Sequence, residues 1–281
     1  MPELPEVHAH AERLTTALAG AALDAFEPLS FTALKTYTPA PDAAVGRRME
    51  RVWRRGKHLL LEFPGEPPLT FVVHLMQGGR LRPDTSKSRK PKNGLARWRF
   101  DSGAALLLTE AGTEHRAGVW VVAGDPLVQP PLDHLGPEAD AIDDCRMAEL
   151  LAAHSMRLHT FLRDQRILAG IGRRLANEVC HRAKLSPFAA TKKLDDVEAA
   201  AVVAAIRDTV DEGLSVEREH DEMTASADRP GAVHGRTGEP CRVCGDAIRE
   251  IAYRDYTVNY CATCQTGGKV LADNTTSKFL K

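Results

Sequence analysis

The sequence of 281 residues lacks any apolar run of the roughly 18 residues that a membrane-spanning helix needs. Its first residues, MPELPEVHAHAERL, are acidic and helix-like, and they lack the basic segment followed by an apolar segment that marks a secretory signal. These two absences predict a cytoplasmic protein that keeps its thiols reduced and does not associate with membranes. An excess of positive charge is also missing, because the formal net charge is -1 at pH 7.

Charge is nevertheless distributed unevenly, and for binding a polyanion the distribution matters more than the sum. Residues 80–99 contain eight Lys or Arg side chains against one acid, and residues 47–57 contain six against one acid. The acids collect elsewhere, notably in 137–149 and 194–223. Solvated loops and strand edges also produce such basic runs, so either run alone is compatible with nucleic-acid binding without establishing it.

Apolar periodicity predicts an α+β protein of several domains. Residues 5–19 carry apolar side chains near one helical face. Short alternating or apolar runs between turn residues then predict a β-sandwich or barrel, and helical periodicity returns after a linker rich in Pro and Asp. The predicted boundaries are 1–125 for the N-terminal helix and sandwich, 126–140 for the linker, 141–230 for a helical domain, 231–268 for a cysteine module and 269–281 for a polar tail.

Two polar features within these domains are predicted to face solvent. His8 and His10 form a His-x-His pair. Side chains at positions i and i+2 diverge on a helix, so we expect these histidines to be surface residues rather than metal ligands. Residues 216–235 are polar, and we expect a mobile loop there.

Four of the six cysteines form two CxxC pairs near the C-terminus, Cys241/Cys244 and Cys261/Cys264, separated by a spacer of 16 residues. In a protein with reduced thiols this spacing predicts one structural zinc ion bound by four thiolates. The module is too small to have a core of its own and would need the metal to fold. Cys145 and Cys180 lie in predicted helices, and we expect them to be inert core thiols.

Proline at position 2 has a chemical consequence. A small penultimate residue lets methionine aminopeptidase remove Met1, which leaves the secondary amine of Pro2 at the chain end. An α-amino group titrates near neutrality, so a useful fraction is unprotonated and nucleophilic. Such an amine can attack an aldehyde-level carbon to give an iminium ion. Met-Pro alone is weak support, because many proteins begin this way for no catalytic reason.

Five longer motifs accompany Pro2. In chain order they are MPELPEV at 1–7, RRGKHLLLEF at 54–63, HLMQGGRL at 74–81, LRDQRILAGIGRRLANEV at 162–179 and VHGRTGEPCRVCG at 233–245. They resemble the N-terminal signature, the lysine-bearing hairpin, the phosphate-binding histidine loop, the helix–two-turn–helix core and the zinc-finger entry of the formamidopyrimidine-DNA glycosylase/endonuclease VIII family. The chain is identified as a member of that family by this ordered set.

The resemblance implies a bifunctional DNA glycosylase and abasic-site lyase of base excision repair, with damaged DNA in a cleft between a sandwich domain and a helix–two-turn–helix domain with a zinc finger. Pro2 would attack C1′ of the damaged nucleotide, and Glu3 would assist ring opening and proton transfers. Glu6 would support the site, and Lys57 would hold phosphate beside the lesion. A Schiff base followed by β- and δ-elimination would cleave the strand. The expected protein is a monomer that acts on DNA of the bacterial nucleoid.

The resemblance also implies DNA contacts outside the nucleophile's surroundings. The residues that it assigns to DNA binding are His74, Gln77, His115, Arg116, Arg173, Arg174 and Arg254. His74 would bind phosphate, and the arginines at 173 and 174 would do so at the start of a helix. Gln77 and His115 occupy positions that fill the void left by an extruded base.

Several of these positions depart from the family pattern. Arg173 stands where the family usually has a phosphate-binding asparagine. The family commonly has larger residues at the positions that fill the void, which here are Gln77, His115 and Ala117. An alanine is too small to insert between two stacked base pairs. The family usually has an arginine in the zinc finger, five residues before the third cysteine; this is the finger arginine. Tyr256 stands at that position here, and the nearest arginine is Arg254. The lesion, the opposite base and the preference for duplex or single strand therefore stay open.

Alternative functions follow from these departures. One is a DNA-damage or abasic-site binding protein of the same fold with little base-excision activity. Another is a specialised glycosylase for bulky or cross-linked lesions. A zinc-ribbon transcription or structural module would require the match at 1–7 to be accidental.

Overall fold

The structure is a computed structural model that describes residues 1–86, 88–111, 116–226, 228–253 and 256–271. The chain forms two compact units. Unit 1 comprises Met1–Leu135 with Glu217–Ala225, and unit 2 comprises Gly136–Val216 with the chain from Ser226 onward. The described elements confirm the predicted α+β class, with a helix and β-sandwich in unit 1 and helices with a four-cysteine cluster in unit 2. Within the described ranges, every helix is too short or too polar to span a bilayer.

Unit 1 begins with helix α1, Leu4–Leu18. Glu3 caps it, and proline in the first turn fits because the first backbone N–H groups have no partner within the helix. The apolar face carries Val7, Leu14 and Leu18 into the core. His10 is also buried, and its Nε2 donates to the carbonyl oxygen of Leu81 at 2.7 Å. The surface position predicted for His10 is therefore wrong.

Among the described residues of unit 1, eight strands form two antiparallel sheets. The strands are β1 (Leu23–Pro28), β2 (Arg51–Arg55), β3 (His58–Phe63), β4 (Leu69–His74), β5 (Gly79–Pro83), β6 (Gly94–Phe100), β7 (Ala105–Glu110) and β8 (Gly118–Ala123). One sheet has the order β1-β6-β7-β5, and the other has the order β2-β3-β4-β8. Helix α1 packs against β2 and β3.

The core of unit 1 lies between the two sheets. Phe26 and Trp98 of the first sheet meet Phe71 of the second, with ring centroids 5.3 Å apart for Phe26–Phe71 and 5.9 Å for Phe71–Trp98. Tilted and edge-on aromatic pairs of this kind pack tightly and contribute beyond the area that they bury. The packing of the two sheets against each other fixes the positions at which the β2–β3 turn and the β4–β5 loop leave the sandwich.

The segment 217–225 returns to unit 1 after the longest helix of the chain. Glu217 is 2% exposed and accepts hydrogen bonds from Arg13 Nη2 at 3.0 Å and from both the backbone N–H and the hydroxyl of Thr224. Arg218 forms an ion pair with Glu12. This part of the polar stretch at 216–235 is therefore anchored on α1, where the sequence predicted a mobile loop.

Acidification is expected to destabilise unit 1 through His10. Burial lowers the pKa of His10 from 6.5 to about 4, and the charges of Arg13 and Arg82 make a smaller contribution in the same direction. A depressed histidine pKa means that the neutral ring stabilises the fold above pH 6.5 and that this contribution disappears as pH falls from 6.5 towards 4. The loss amounts to at most roughly 3 kcal/mol.

Urea unfolding followed by tryptophan fluorescence reports on unit 1, because Trp53, Trp98 and Trp120 all lie there. The wild-type midpoint should fall between pH 7 and pH 4.5, and His10→Gln should fall less steeply over that range. His58 and His74 contribute to the wild-type decline in the same direction, so the difference between the two proteins isolates His10. Parallel declines would contradict the assignment.

In its described part, unit 2 contains four α-helices followed by the cysteine module. Its elements are α2 (Asp144–Ala153), α3 (Leu158–Arg163), α4 (Arg173–Arg182), α5 (Asp196–Arg218, whose last residues belong to unit 1), β9 (Ile248–Ala252), β10 (Thr257–Cys261) and α6 (Ala262–Thr266). Helix α3 ends at Arg163, earlier than its apolar periodicity suggests. The side chain of Gln165 stabilises the turn that follows, because it donates to the carbonyls of Arg163 and Ile171 and accepts from Gly170 N–H.

Candidate active site and metal centre

The start of α1 brings Glu3 and Glu6 together beside Pro2. The two glutamates form a capping box, in which each carboxylate accepts a hydrogen bond from the backbone N–H of the other, and Glu3 N–H lies 2.8 Å from Glu6 Oε2. Glu6 is fully buried and Glu3 is 3% exposed. The capping box thus fixes the carboxyl group of Glu3 on the residue next to Pro2. The carboxylate of Glu6 holds Glu3 in place through its backbone N–H.

Lys57 and His74 lie on neighbouring hairpins of the second sheet. Lys57 is buried in the β2–β3 turn, and His58, the next residue, pairs in register with His74 across β3 and β4. The two imidazole centroids are 4.4 Å apart. Burial, with a smaller effect of the Lys57 charge, lowers the pKa of His74 to about 4, and burial beside His74 holds the pKa of His58 well below its usual value. Both rings are therefore neutral at pH 7.

The loop between β4 and β5 exposes Gln77. Its tight path depends on glycine, because a Cβ on Gly79 would lie 2.1 Å from the carbonyl oxygen of Leu75. Arg116 is exposed, whereas Ala117 is buried in the core, where its N–H donates to Glu110 at 2.8 Å.

His115, predicted with Gln77 to fill the void beside an extruded base, lies outside the described residues. The roles predicted for Gln77, His115 and Arg116 remain predictions.

Arg173 and Arg174 begin helix α4 in different surroundings. Arg173 is partly exposed, and the N-cap residue Gly172 offers no side chain to the first backbone N–H groups. Arg174 is buried, and a Cβ on Gly231 would lie 2.9 Å from its Nη2. Arg173 is thus the better placed of the two for a phosphate, and the contact predicted for Arg174 remains a prediction.

Glu178, which the sequence suggests is structural, anchors the segment that leads into the cysteine module. Its carboxylate accepts from the backbone N–H groups of Ala232, Val233 and His234 at 2.7, 3.2 and 2.8 Å. A Cβ on Gly231 would lie 2.7 Å from Glu178 Oε1, so the close approach requires glycine there. A carboxylate in a row of backbone N–H groups is strongly bound because every bond is charge-assisted.

Replacing Glu178 should therefore destabilise unit 2. We expect Glu178→Ala to lower the free energy of unfolding by about 2–3 kcal/mol, because buried backbone donors lose a charged acceptor. Glu178→Gln is the matched variant, since it keeps one acceptor oxygen and should cost less. Circular dichroism at 222 nm during denaturant unfolding measures the helices of this unit. Equal midpoints for wild type and Glu178→Ala would contradict the anchoring role.

The four cysteines predicted to bind metal meet at one point. Their Sγ atoms all lie within 4.8 Å of one another, with 3.9 Å between Cys241 and Cys264 and 3.3 Å between Cys244 and Cys261. Four thiolates around a tetrahedral zinc, at about 2.3 Å each, lie roughly 3.8 Å apart, so the cluster fits such an ion.

The cysteine cluster also has outer support. All four thiols are free rather than paired as disulfides. His181 of α4 places Nε2 3.4 Å from Cys241 Sγ, where an N–H donor orients a thiolate ligand. The arrangement is a four-cysteine metal-binding site.

Tyr256 occupies the hairpin turn between β9 and β10, with Tyr253 N–H donating to Tyr256 C=O at 2.8 Å. The two rings stack at 4.7 Å, and the guanidinium of Arg163 lies 4.3 Å above Tyr256. Arg254, the alternative finger arginine, lies outside the described residues and its DNA contact stays a prediction. No pattern along the chain indicates that Arg163 of α3 contacts this turn.

Two family domains match the chain: the formamidopyrimidine-DNA glycosylase N-terminal domain at residues 1–113 and the formamidopyrimidine-DNA glycosylase H2TH domain at 135–225. The formamidopyrimidine-DNA glycosylase of Heliobacterium modesticaldum is 31% identical over 282 residues, covering 94% of this chain and 100% of its own. An uncharacterized formamidopyrimidine-DNA glycosylase-like protein of Mycobacterium tuberculosis is 40% identical over 156 residues, covering 52% of this chain and 94% of its own.

Solved structures share the fold. The Lactococcus lactis Fpg in complex with abasic-site DNA superposes with a TM-score of 0.83 at 22% identity, covering 94% of this chain and 100% of that one. MutM in complex with DNA containing carbocyclic 8-oxo-G gives 0.82 at 21% identity over the same shares.

Fold and metal site together define a DNA-binding protein of the DNA glycosylase class, which acts in DNA repair. The chain belongs to the formamidopyrimidine-DNA glycosylase family, as its motifs predicted.

Proposed function

We propose that the protein is a bifunctional DNA glycosylase and abasic-site lyase whose nucleophile is the amine of Pro2, after removal of Met1. The observation that carries this proposal is the capping box at α1, which holds a buried carboxyl group on the residue adjoining that amine. An amine nucleophile needs a nearby group that moves protons, and Glu3 is in position to do so. Glu6 positions Glu3 through the reciprocal hydrogen bonds.

The proposed reaction proceeds through an iminium ion. The Pro2 nitrogen forms a bond to C1′ as the glycosidic bond breaks, and the electron pair of that bond leaves with the base, which takes up a proton. Glu3 protonates the ring oxygen as the sugar opens, which leaves a Schiff base between Pro2 and C1′. Loss of a C2′ proton then expels the 3′ phosphate by β-elimination, and δ-elimination expels the 5′ phosphate.

Lys57 and His74 are the proposed phosphate ligands nearest this chemistry. Lys57 would supply a point charge. His74 is neutral at pH 7, so its proposed contact is a hydrogen bond from the ring N–H. Arg173, which is partly exposed at the start of α4, extends the proposed phosphate contacts to unit 2. Zinc in the four-cysteine site would stabilise the finger and take no part in the reaction.

Borohydride trapping tests the proposal. Mature protein is incubated with duplex DNA carrying one abasic site, and the iminium is reduced to a stable amine. We expect a covalent protein–DNA adduct, and without borohydride a one-nucleotide gap with phosphate at both ends. The absence of both products would refute the lyase chemistry.

A panel of 8-oxoguanine, formamidopyrimidines, oxidised pyrimidines and cross-links in duplex and single strand would then define the lesion.

A second candidate is a damage-binding protein with little base excision. It is favoured by Ala117, which is buried in the core and cannot fill the place of an extruded base. In that case damage-selective binding would persist in Pro2→Gly, and neither adduct nor cleavage would form.

A further inference from the structure

Phe31 is an aromatic side chain that the fold leaves outside the core of unit 1. It is 93% exposed, whereas Phe26, five residues earlier, packs between the two sheets. Phe31 lies in the turn that follows β1, where Ala33 N–H donates to the carbonyl oxygen of Ser30 at 3.2 Å. A phenylalanine ring at the tip of a turn presents a flat apolar face on which a second ring can stack.

Hydrogen bonds on both sides hold this turn in place. Before it, the N–H groups of Leu29 and Ser30 both donate to the carbonyl oxygen of Leu95, each at 3.0 Å. After it, Val119 N–H donates to the carbonyl oxygen of Ala33 at 2.8 Å. The turn therefore joins the start of β6 in the first sheet to the start of β8 in the second. A ring on a fixed turn loses less conformational entropy on binding than a ring on a mobile loop.

The turn lies beside the first residue of β8. The chain that follows the turn runs parallel to the beginning of this strand. The Cε atom of Lys35 would lie 2.6 Å from a Cβ on Gly118, and its Nζ donates to the carbonyl oxygen of Thr32 at 2.5 Å. The side chain of Lys35 thus spans the interval between Gly118 and Thr32. Because Thr32 directly follows Phe31, the turn that carries the phenylalanine is next to the point where β8 begins.

The start of β8 is also close to the proposed DNA contacts of unit 1. Gly118 pairs in register with His74, one of the proposed phosphate ligands. Ala117, which directly precedes Gly118, is buried and stands where the family commonly has a larger residue that fills the void. An exposed ring is therefore absent at Ala117 and present on the neighbouring turn.

The charge around the turn favours a polyanion. The two segments that meet there, 29–35 and 88–95, contain no acidic residue. Their basic residues are all exposed, and they are Lys35, Arg89, Lys90 and Lys92. Cations around an aromatic ring are the combination with which proteins bind the backbone of a nucleic acid while its bases stack on the ring.

We propose that Phe31 stacks on the base that is left unpaired in the opposite strand when the damaged nucleotide leaves the duplex. The inference rests on the proposed function, because a glycosylase must turn its target nucleotide out of the base stack. The base that stays behind loses its pairing partner and part of its stacking, and the ring of Phe31 supplies a new stacking surface. Every base has a π face, so this contact holds the opposite base without selecting its identity.

Two duplexes that differ only in the opposite base test the proposal. The first carries a tetrahydrofuran abasic analogue opposite cytosine, and the second carries the analogue in both strands at that position. Fluorescence anisotropy measures the affinity for each. Phe31→Ala should bind the first duplex about tenfold more weakly than wild type does. It should bind the second duplex within twofold of wild type, because the base on which the ring stacks is absent.

Tyr37→Ala is the matched control. Tyr37 is also an exposed aromatic residue of this segment, at 74%, but it lies farther along β8, since the hydroxyl of its neighbour Thr36 accepts from Val121 N–H at 2.7 Å. This variant should bind both duplexes like wild type. Phe31→Trp keeps a stacking ring and should retain the wild-type affinity for the first duplex.

Two further measurements on Phe31→Ala separate stacking from other causes of weaker binding. The slope of log K against log salt should equal that of wild type, because the substitution removes no cation. The midpoint of urea unfolding should also be unchanged, because the side chain lies outside the core.

Equal losses of affinity on the two duplexes would overturn the proposal, and so would wild-type affinity of Phe31→Ala for the first duplex. Borohydride trapping separates these outcomes from failure of the proposed function. If wild-type protein forms the adduct and Phe31→Ala shows either outcome, only the stacking role is refuted. A loss confined to the first duplex, in a protein that forms no adduct, refutes only the lyase chemistry.

Discussion

Pro2→Gly should reduce formation of the borohydride-trapped adduct about 100-fold, which corresponds to roughly 2.7 kcal/mol in the barrier. Glycine at this position still permits removal of Met1, so the variant presents a primary amine in place of a secondary one. A secondary amine yields an iminium that carries a permanent positive charge, whereas a primary amine yields an imine that must first be protonated.

The control for this experiment is the second proline of the same segment. Pro5 lies in the first turn of α1 and is buried, but its nitrogen is within the chain and cannot attack a sugar. Pro5→Ala should therefore trap within twofold of wild type. Mass spectrometry establishes that each protein begins at residue 2. Equal trapping by Pro2→Gly and wild type would point to a different nucleophile, for instance a lysine amine.

Loss of the metal site should abolish DNA binding, with a decrease in affinity of at least about 100-fold. The finger has only two small apolar clusters: one consists of Val233 and Ile248 with ligand cysteines, and the other has only Ile251, Tyr260 and Ala262 as its buried members. Binding of a structural zinc contributes on the order of 10 kcal/mol to folding such a module. Cys261→Ala removes a fully buried ligand, so the hairpin that carries Tyr256 should lose its fold.

Cys145→Ser is the matched control, because Cys145 lies outside the four-cysteine cluster and is exposed, so the core position predicted for it is wrong. It should keep one zinc per chain and wild-type affinity. Tryptophan fluorescence of the Cys261→Ala protein should remain native, since all three tryptophans lie in unit 1. Metal-free protein that still binds abasic-site DNA would show that the finger is dispensable.

Both predictions concern short segments whose local sequence is sufficient to specify their structure. Glu3, Pro5 and Glu6 specify a helix start without help from distant residues, because caps depend on backbone groups three positions away. The two CxxC pairs likewise specify a metal site by spacing alone. For the same reason the order of the domains and the buried strands, such as HLLLEF and LTFVVHL, could be predicted.

Polar elements were not predictable in this way. Strands β1 and β5 read LDAFEP and GRLRP and form the two edges of their sheet, where one side of the strand has no neighbour and charged residues are common. His10 sits on a helix that the sequence describes as amphipathic, yet its burial depends on the carbonyl of Leu81, 71 positions away. Only the packing of α1 against the sheet decides that contact.

The sequence by itself determined the surroundings of the proposed nucleophile, the cysteines of the metal-binding site and the family, because each is encoded in short motifs of consecutive residues. The tertiary structure decided the pairings between distant residues: His58 beside His74, Glu178 beneath the segment 232–234, and Arg163 on Tyr256. From the sequence alone, tyrosine in place of the finger arginine looks like the loss of a positive charge at the hairpin turn. In three dimensions the guanidinium of Arg163, from another helix, lies over the ring of Tyr256, and only the packing of these distant segments decides that contact.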